Sequence, residues 1–346
     1  MCSRLASFAV LSLSFLAACG QAGFEVGSEE ELGSTSQAML DGELSDESFG
    51  GVVFLETLQA TGDPLGCTGT LIAPNLVATA LHCVTSEDLG DFGCQPDGTL
   101  STSSNALEGT LGPLVAPGNV KIYAGSPVRY GEVAAVGERL FGTGSTQACQ
   151  GDLALVVLDR NLDLPSVAVR LDRQAAWQED VNVLGYGQTG DRIDHRGMRI
   201  IRQVEVLDVG PATTTEPTRT TPPRTFVVGH GPCKGDSGGP ALSQETGALL
   251  GVFSLNTAKS CDEVGIRNVY TSLSPFSKLV LDAYAAAGVE PNLENGLAVE
   301  PEPVKSTEVA DSGCALAAPR STTPWAFAAL GLAVSGLWAR RRRTRA

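Results

Sequence analysis

The sequence predicts an all-β fold, a barrel or sandwich of short strands, with one helix at the end of the body. Three observations predict it. The chain has 40 Gly and 19 Pro in 346 residues and only 5% aromatics, a mixture that suits many short elements joined by turns rather than a coiled coil or helical bundle. Runs rich in β-branched residues recur at strand length. One stretch, 275–287, carries helical spacing, with Phe276, Leu279, Val280 and Ala283 on one stripe.

In chain order the expected strands are 51–55, 70–72, 120–123, 153–158, 181–184, 200–207, 226–228 and 249–255, each a short apolar run bounded by turn residues. Segments 86–118 and 211–225 lack such runs and read as loops, the second rich in Thr and Pro. Gly288 stands where the helix should end, because glycine adopts the left-handed conformation of a helix C-terminus without strain. No internal repeat is visible.

The formal charge is −15, which excludes phosphate-backbone binding as the main task, so no nucleic-acid partner is expected. Nine cysteines are present: Cys2, Cys19, Cys67, Cys83, Cys94, Cys149, Cys233, Cys261 and Cys314. No C-x-x-C pair occurs and the only histidines are His82, His195 and His230, so no metal site is expected. Six cysteines lie in the body, an even number that suits a disulfide framework in an oxidising compartment.

The flanks divide the chain into 1–18, a signal peptide; 19–38, a polar leader or propeptide; 39–288, the body; 289–313, an acidic, Pro-bearing tether; and 314–346, a sorting or anchor segment. The first 18 residues hold Arg4 and then an apolar stretch too short to span a bilayer. Leu16-Ala17-Ala18-Cys19 resembles a bacterial lipobox, with Cys19 the lipidated residue; the plainer reading is a signal peptide cut nearby. Gly313-Cys314, a short apolar stretch and an Arg run (Arg340 to Arg343, then Arg345) resemble the C-terminal sorting signals of myxobacterial surface proteins; the plainer reading is a single-pass tail anchor. Membrane attachment through these terminal segments is the expectation, at the cell surface or outer membrane of a Gram-negative bacterium.

The chemistry concentrates in Gly235-Asp236-Ser237-Gly238-Gly239-Pro240. A serine among glycines on tight turns can present its hydroxyl and leave backbone N–H groups open to an oxyanion. A serine nucleophile needs a base, and a histidine base needs a carboxylate to orient it. His82 closes Thr79-Ala80-Leu81-His82-Cys83. His195 lies among charges and reads as a solvated loop residue, and nothing near His230 marks it as a base. Asp152 opens the buried run Asp152-Leu153-Ala154-Leu155, whereas Asp159 at its far end reads as a surface charge.

Together, the Cys-x-Gly-x-Leu-Ile segment from Cys67, Thr-Ala-x-His-Cys, Asp-Leu-Ala-Leu and Gly-Asp-Ser-Gly-Gly-Pro, in the order His, Asp, Ser, resemble the trypsin/chymotrypsin-type serine proteases over about 250 residues. The resemblance implies a chymotrypsin-like double antiparallel β-barrel with a C-terminal helix and a site between the barrels. It implies a serine endopeptidase acting on protein or peptide, with no cofactor, as a monomer. His82 is then general base and acid, Asp152 its orienter and Ser237 the nucleophile. The N–H groups of Gly235 and Ser237 form the oxyanion hole, and Ser254 supports Asp152.

The resemblance further implies the disulfides Cys67–Cys83, Cys233–Cys261 and, as the remaining pair, Cys94–Cys149. It implies activation by cleavage after Ala38, with the new Met39 ammonium pairing with Asp236. Gly231 falls at the base of the primary substrate pocket, with Asn256 and Asn268 on its walls. Wide pockets of the family carry glycine at both wall positions, so the resemblance implies a narrow slot for a small residue such as Ala; the plainer reading is that one or both Asn side chains point away, with Asp262 and Glu263 marking a variable loop length. The chain departs from the family pattern at Leu81, Leu255 and Asn256, and in the 70-residue separation of His82 from Asp152. A reading of another class is a catalytically silent homologue serving as a surface binding or adhesion module.

Overall fold

A computed structural model describes residues 42–45, 49–86, 89, 93–100, 109–187, 197–213, 220–256, 261 and 265–295. Cys19, Met39, His195, Cys314 and the terminal segments lie outside the described residues.

The first barrel is built from β2 (Val52–Leu58), β3 (Pro64–Ala73), β4 (Leu76–Thr79), β5 (Val120–Tyr123), β6 (Ala135–Gly142) and β7 (Ala154–Leu158), closed in the order β2-β3-β4-β7-β6-β5. The second uses β8 (Asp180–Gly185), β9 (Arg199–Val209), β12 (Thr225–Val228), β13 (Pro240–Ser243), β14 (Leu249–Asn256) and β15 (Asn268–Ser272). Its order is β9-β12-β15-β14-β13-β8, and β8 pairing with β9 closes it. A short β1 (Glu43–Leu44) adds to the outer side of β9, and β10 (Ala212–Thr213) and β11 (Thr220–Thr221) make a small ribbon inside the stretch expected to be loop.

Closure explains why the interior strands read as continuous apolar runs. β7 and β13 are buried along their whole lengths. One apolar cluster fills the first barrel, with Leu55, Leu71, Val77, Ile122 and Val156 at its centre. Another fills the second, around Val183, Phe226, Val228, Phe253 and Tyr270. A third joins the barrels and takes in helix α1 (Ser277–Ala287) through Val280, Ala283 and Tyr284. The helix ends on Gly288 at φ 71°, whose N–H meets the Tyr284 and Ala285 carbonyls as the sequence led one to expect.

Among the described residues three disulfides are formed: Cys67–Cys83, Cys94–Cys149 and Cys233–Cys261. They suit an oxidising, extracytoplasmic compartment. No helix among the described residues is long and apolar enough to cross a membrane. The acidic stretch after the helix begins packed on the body, where Val169 pairs with Leu293.

Candidate active site

Strand pairing brings the sequence-distant groups together. β4 runs antiparallel to β7, with Thr79 opposite Ala154. His82 lies three residues beyond the end of β4 and Asp152 two residues before the start of β7, so both emerge at one end of the first barrel. In the second barrel Pro240 opens β13 opposite Val252 of β14. Ser237 precedes that pair on one chain and Ser254 follows it on the other, so these too share an end.

Asp152 is fully buried and receives three bonds. Its Oδ2 meets His82 Nδ1 at 2.7 Å, its Oδ1 accepts the His82 backbone N–H at 2.9 Å, and the Ser254 hydroxyl donates to Oδ2 at 2.6 Å. Burial pushes this carboxyl upward, but the charge and hydrogen bond of His82, with the Ser254 hydroxyl and the His82 amide, more than offset it. The net result lies below the usual carboxylate range. His82 is largely enclosed, and its bond to Asp152 at Nδ1 leaves Nε2 as the ring atom for chemistry.

Ser237 is half-buried in a turn that glycine makes possible. Gly238 sits at φ 79°, and a Cβ there would fall 2.3 Å from the Thr68 carbonyl oxygen and 2.9 Å from the Ala80 nitrogen. The turn is tied to the first barrel, since the Ser237 carbonyl accepts the Thr68 N–H at 2.8 Å. Cys83 Sγ lies 3.6 Å from the same carbonyl; being in a disulfide it carries no proton, so this is a packing contact between the Ser237 turn and the residue after His82. Among the described residues, neither the Gly235 nor the Ser237 N–H has a protein acceptor.

Asp236 faces the other way and is fully buried. Its carboxylate accepts the Gly187 N–H at 2.7 Å and the Cys233 N–H at 2.8 Å. Gly185 and Gly187 leave just enough room for it, because a Cβ at either would lie within 2.6 Å of its carboxylate oxygens. Burial drives the carboxyl up to about 7, with the two amides acting in the opposite direction.

Asn256 and Asn268 stand opposite each other across β14 and β15. Asn268 is fully buried, and its Nδ2 donates to the Gly229 carbonyl at 2.6 Å while its Oδ1 has no partner among the described residues. Gly231 is buried at φ 149°. His230 lines a hollow of about 200 Å³ with Leu207, Ile266 and Arg267, and His82 is not among its lining residues. Cys67, His82 and Cys83 present their ligand-type atoms within 4.8 Å of one another, but both sulfurs are spent in one disulfide, so the cluster offers a metal no thiolate.

The family model Trypsin matches residues 115–280. The match to Trypsin takes in Asp152, Ser237 and Ser254 and begins after His82. A solved structure titled HL collagenase is similar in fold, with a TM-score of 0.51 and 19% identity over 72% of this chain and 99% of that chain. None of the curated proteins matches. The paired barrels and terminal helix that the resemblance implied are thus those of a trypsin/chymotrypsin-type protease fold.

One structural participant was not signalled by the sequence motifs. Phe276, at the start of the helix, packs on Gly151, where a Cβ would lie 2.6 Å from its ring, and the Arg224 guanidinium stacks over the same ring at 5.4 Å. The turn that carries Asp152 is therefore braced from outside the first barrel. Only the glycine at 151 hints at this in the sequence.

Proposed function

We propose that the protein is a serine endopeptidase, and the observation that carries the reading is the His82–Asp152–Ser254 hydrogen-bond chain beside Ser237. Ser237 Oγ attacks the scissile carbonyl carbon while His82 Nε2 takes its proton. The tetrahedral oxyanion is met by the N–H groups of Gly235 and Ser237. His82 returns the proton to the departing amine, and water then cleaves the acyl-enzyme by the same route in reverse. Asp152 holds the imidazole in the tautomer with Nδ1 protonated and stabilises its cation, and Ser254 keeps the carboxylate in place.

Activation by cleavage after Ala38 belongs to the same proposal. Asp236 is a buried carboxylate bound by two amides, and a Met39 ammonium would supply its countercharge. Asn256 and Asn268 support a narrow primary slot above Gly231 and a preference for a small side chain such as Ala. Export, lipidation of Cys19 and retention through the segment from Cys314 complete the reading: cleavage after Ala38 leaves the lipid on the propeptide, and the C-terminal device holds the mature enzyme at the cell surface.

The test is labelling of the mature protein by a fluorophosphonate probe at neutral pH. Modification of Ser237, absent in Ser237→Ala and in His82→Ala, supports the enzyme. An unlabelled parent chain would instead favour the silent surface module.

A further inference from the structure

We infer that residues 290–295 are a clasp between the two barrels and that Glu294 is a positioning residue for the Ser237–His82 pair; this rests on the serine-protease reading. The helix before the clasp belongs to the first barrel. Tyr284 donates its hydroxyl to the Ile72 carbonyl at 2.9 Å, Asn75 Nδ2 donates to the Ala287 carbonyl at 3.0 Å, and Arg139 donates to that of Ala286. After Gly288 the chain turns onto the connector between the barrels. The Val169 N–H donates to the Asn292 carbonyl at 2.8 Å, and the Glu294 N–H donates to the Val169 carbonyl at 3.0 Å. The connector is itself laid on the second barrel, where Arg170 N–H meets the Leu249 carbonyl at 3.0 Å and Leu249 N–H meets that of Ala168 at 2.8 Å.

A buried charge cluster locks this arrangement. Arg170 is 4% exposed at its side chain and Glu294 2%. The guanidinium donates through Nε (2.7 Å) and Nη2 (2.6 Å) to the two oxygens of Glu294, and through Nη1 to both oxygens of Glu179. Arg173 adds a contact to Glu294 at 3.2 Å, and Thr246, in the turn between β13 and β14, donates its hydroxyl to Glu294 at 2.6 Å. The enclosed Arg170–Glu294 pair is thus hydrogen-bonded on both sides, as a buried charge requires, while Arg173 reaches it from the surface, where it also pairs with Asp172.

Glu294 therefore joins the helix that sits on the first barrel to the turn and strand of the second. His82 and Asp152 belong to the first barrel and Ser237 to the second. A group that fixes one barrel against the other fixes the nucleophile–base distance, on which general-base catalysis depends steeply. The cost of losing the clasp falls on that distance and leaves the His82–Asp152 contact, internal to one barrel, intact.

The experiment measures the rate of fluorophosphonate labelling of Ser237 in the mature, processed protein isolated from its producing cell. Glu294→Gln is compared with the parent at a temperature where circular dichroism shows both fully folded. The expected result is labelling roughly tenfold slower, with an unchanged midpoint in its pH profile and partial recovery in Glu294→Asp. An unchanged rate in folded Glu294→Gln, with only its melting temperature lowered, overturns the positioning role. Should that variant not fold, Thr246→Val removes one hydrogen bond: slowing of about two- to fivefold supports the role and an unchanged rate overturns it. A parent chain that takes no label overturns the protease reading, and the positioning role with it.

Discussion

The Ser254 hydroxyl donates to Oδ2 of Asp152 at 2.6 Å, the same oxygen that faces His82 Nδ1 at 2.7 Å. One carboxylate oxygen is thereby shared between a fixed neutral donor and the imidazole. Replacing Ser254 by Ala leaves a buried lone pair unmet and frees the carboxylate to turn. A hydrogen bond to a charged group is worth about 1.5–3 kcal/mol, so kcat/KM should fall at least about tenfold. Steady-state kinetics on a peptide substrate checks this, and an undiminished kcat/KM would show that Ser254 is not needed to hold Asp152.

Asp236 makes the stability of the unprocessed chain depend on pH. Its carboxyl ordinarily titrates near 4 and is raised to about 7 here by burial. A folded-state pKa above the unfolded value means that the folded chain holds its proton more tightly. The stability this provides is fully present below about pH 4 and is lost as pH rises to about 7. The melting temperature of full-length Ser237→Ala, which cannot cleave itself, should fall across that window, and the added Asp236→Asn change should flatten the fall. In the processed protein an ammonium partner would remove the same slope.

Gly238 is required by geometry rather than by chemistry. At φ 79° a side chain is strained, and the Cβ would strike the Thr68 carbonyl oxygen and the Ala80 nitrogen, both backbone atoms. Gly238→Ala should cost at least about 2 kcal/mol and displace the Ser237 turn. The expected readout is loss of fluorophosphonate labelling together with a lower denaturant midpoint.

How far the sequence could be read depends on whether a feature is local. His82, Asp152 and Ser237 sit in compact strings whose residue types announce their chemistry, whereas the disulfide pairings came from the family resemblance those strings carry, Cys94–Cys149 as the remaining pair. Eight of the strand segments were visible because closed barrels bury them on an apolar stripe. β6 was not: its exposed Glu138 and Arg139 and its Gly137 dilute the pattern. β13 hides behind the glycine-rich turn and opens on a proline, which normally argues against a strand. Arg170 and Glu294 are 124 residues apart, and each alone looks like a surface charge, so their burial is a property of the fold alone. The same holds for Phe276 on Gly151.

The Cys94–Cys149 disulfide closes 55 residues and ends three residues before Asp152. Loop-entropy reasoning gives such a bridge roughly 4 kcal/mol, less any strain relieved on opening. Cys94→Ser with Cys149→Ser should lower the melting temperature and also loosen the turn into Asp152. Activity loss should therefore exceed what the unfolded fraction explains at the assay temperature. A variant with full kcat in its folded fraction would confine the bridge to stability.

The primary slot offers the most direct test of specificity. Asn268 lies on the inner face of β15, two residues from the core residue Tyr270, and is held there by its bond to the Gly229 carbonyl. That carbonyl orients the amide, because reversing it would set two oxygens against each other. The side chain therefore occupies volume that a glycine would leave open, directly across the sheet from Asn256. Asn268→Gly should widen the slot and raise kcat/KM for a peptide with Phe before the scissile bond relative to one with Ala. One methylene in an apolar pocket is worth about 1–3 kcal/mol, so the ratio should shift by roughly 10- to 100-fold. Asn256 is only half-buried, so Asn256→Gly should move the ratio in the same direction by less. Matched Ala, Phe and Arg peptides measure both shifts, and a parent enzyme that already prefers Phe or Arg would place the slot elsewhere than between Asn256, Asn268 and Gly231.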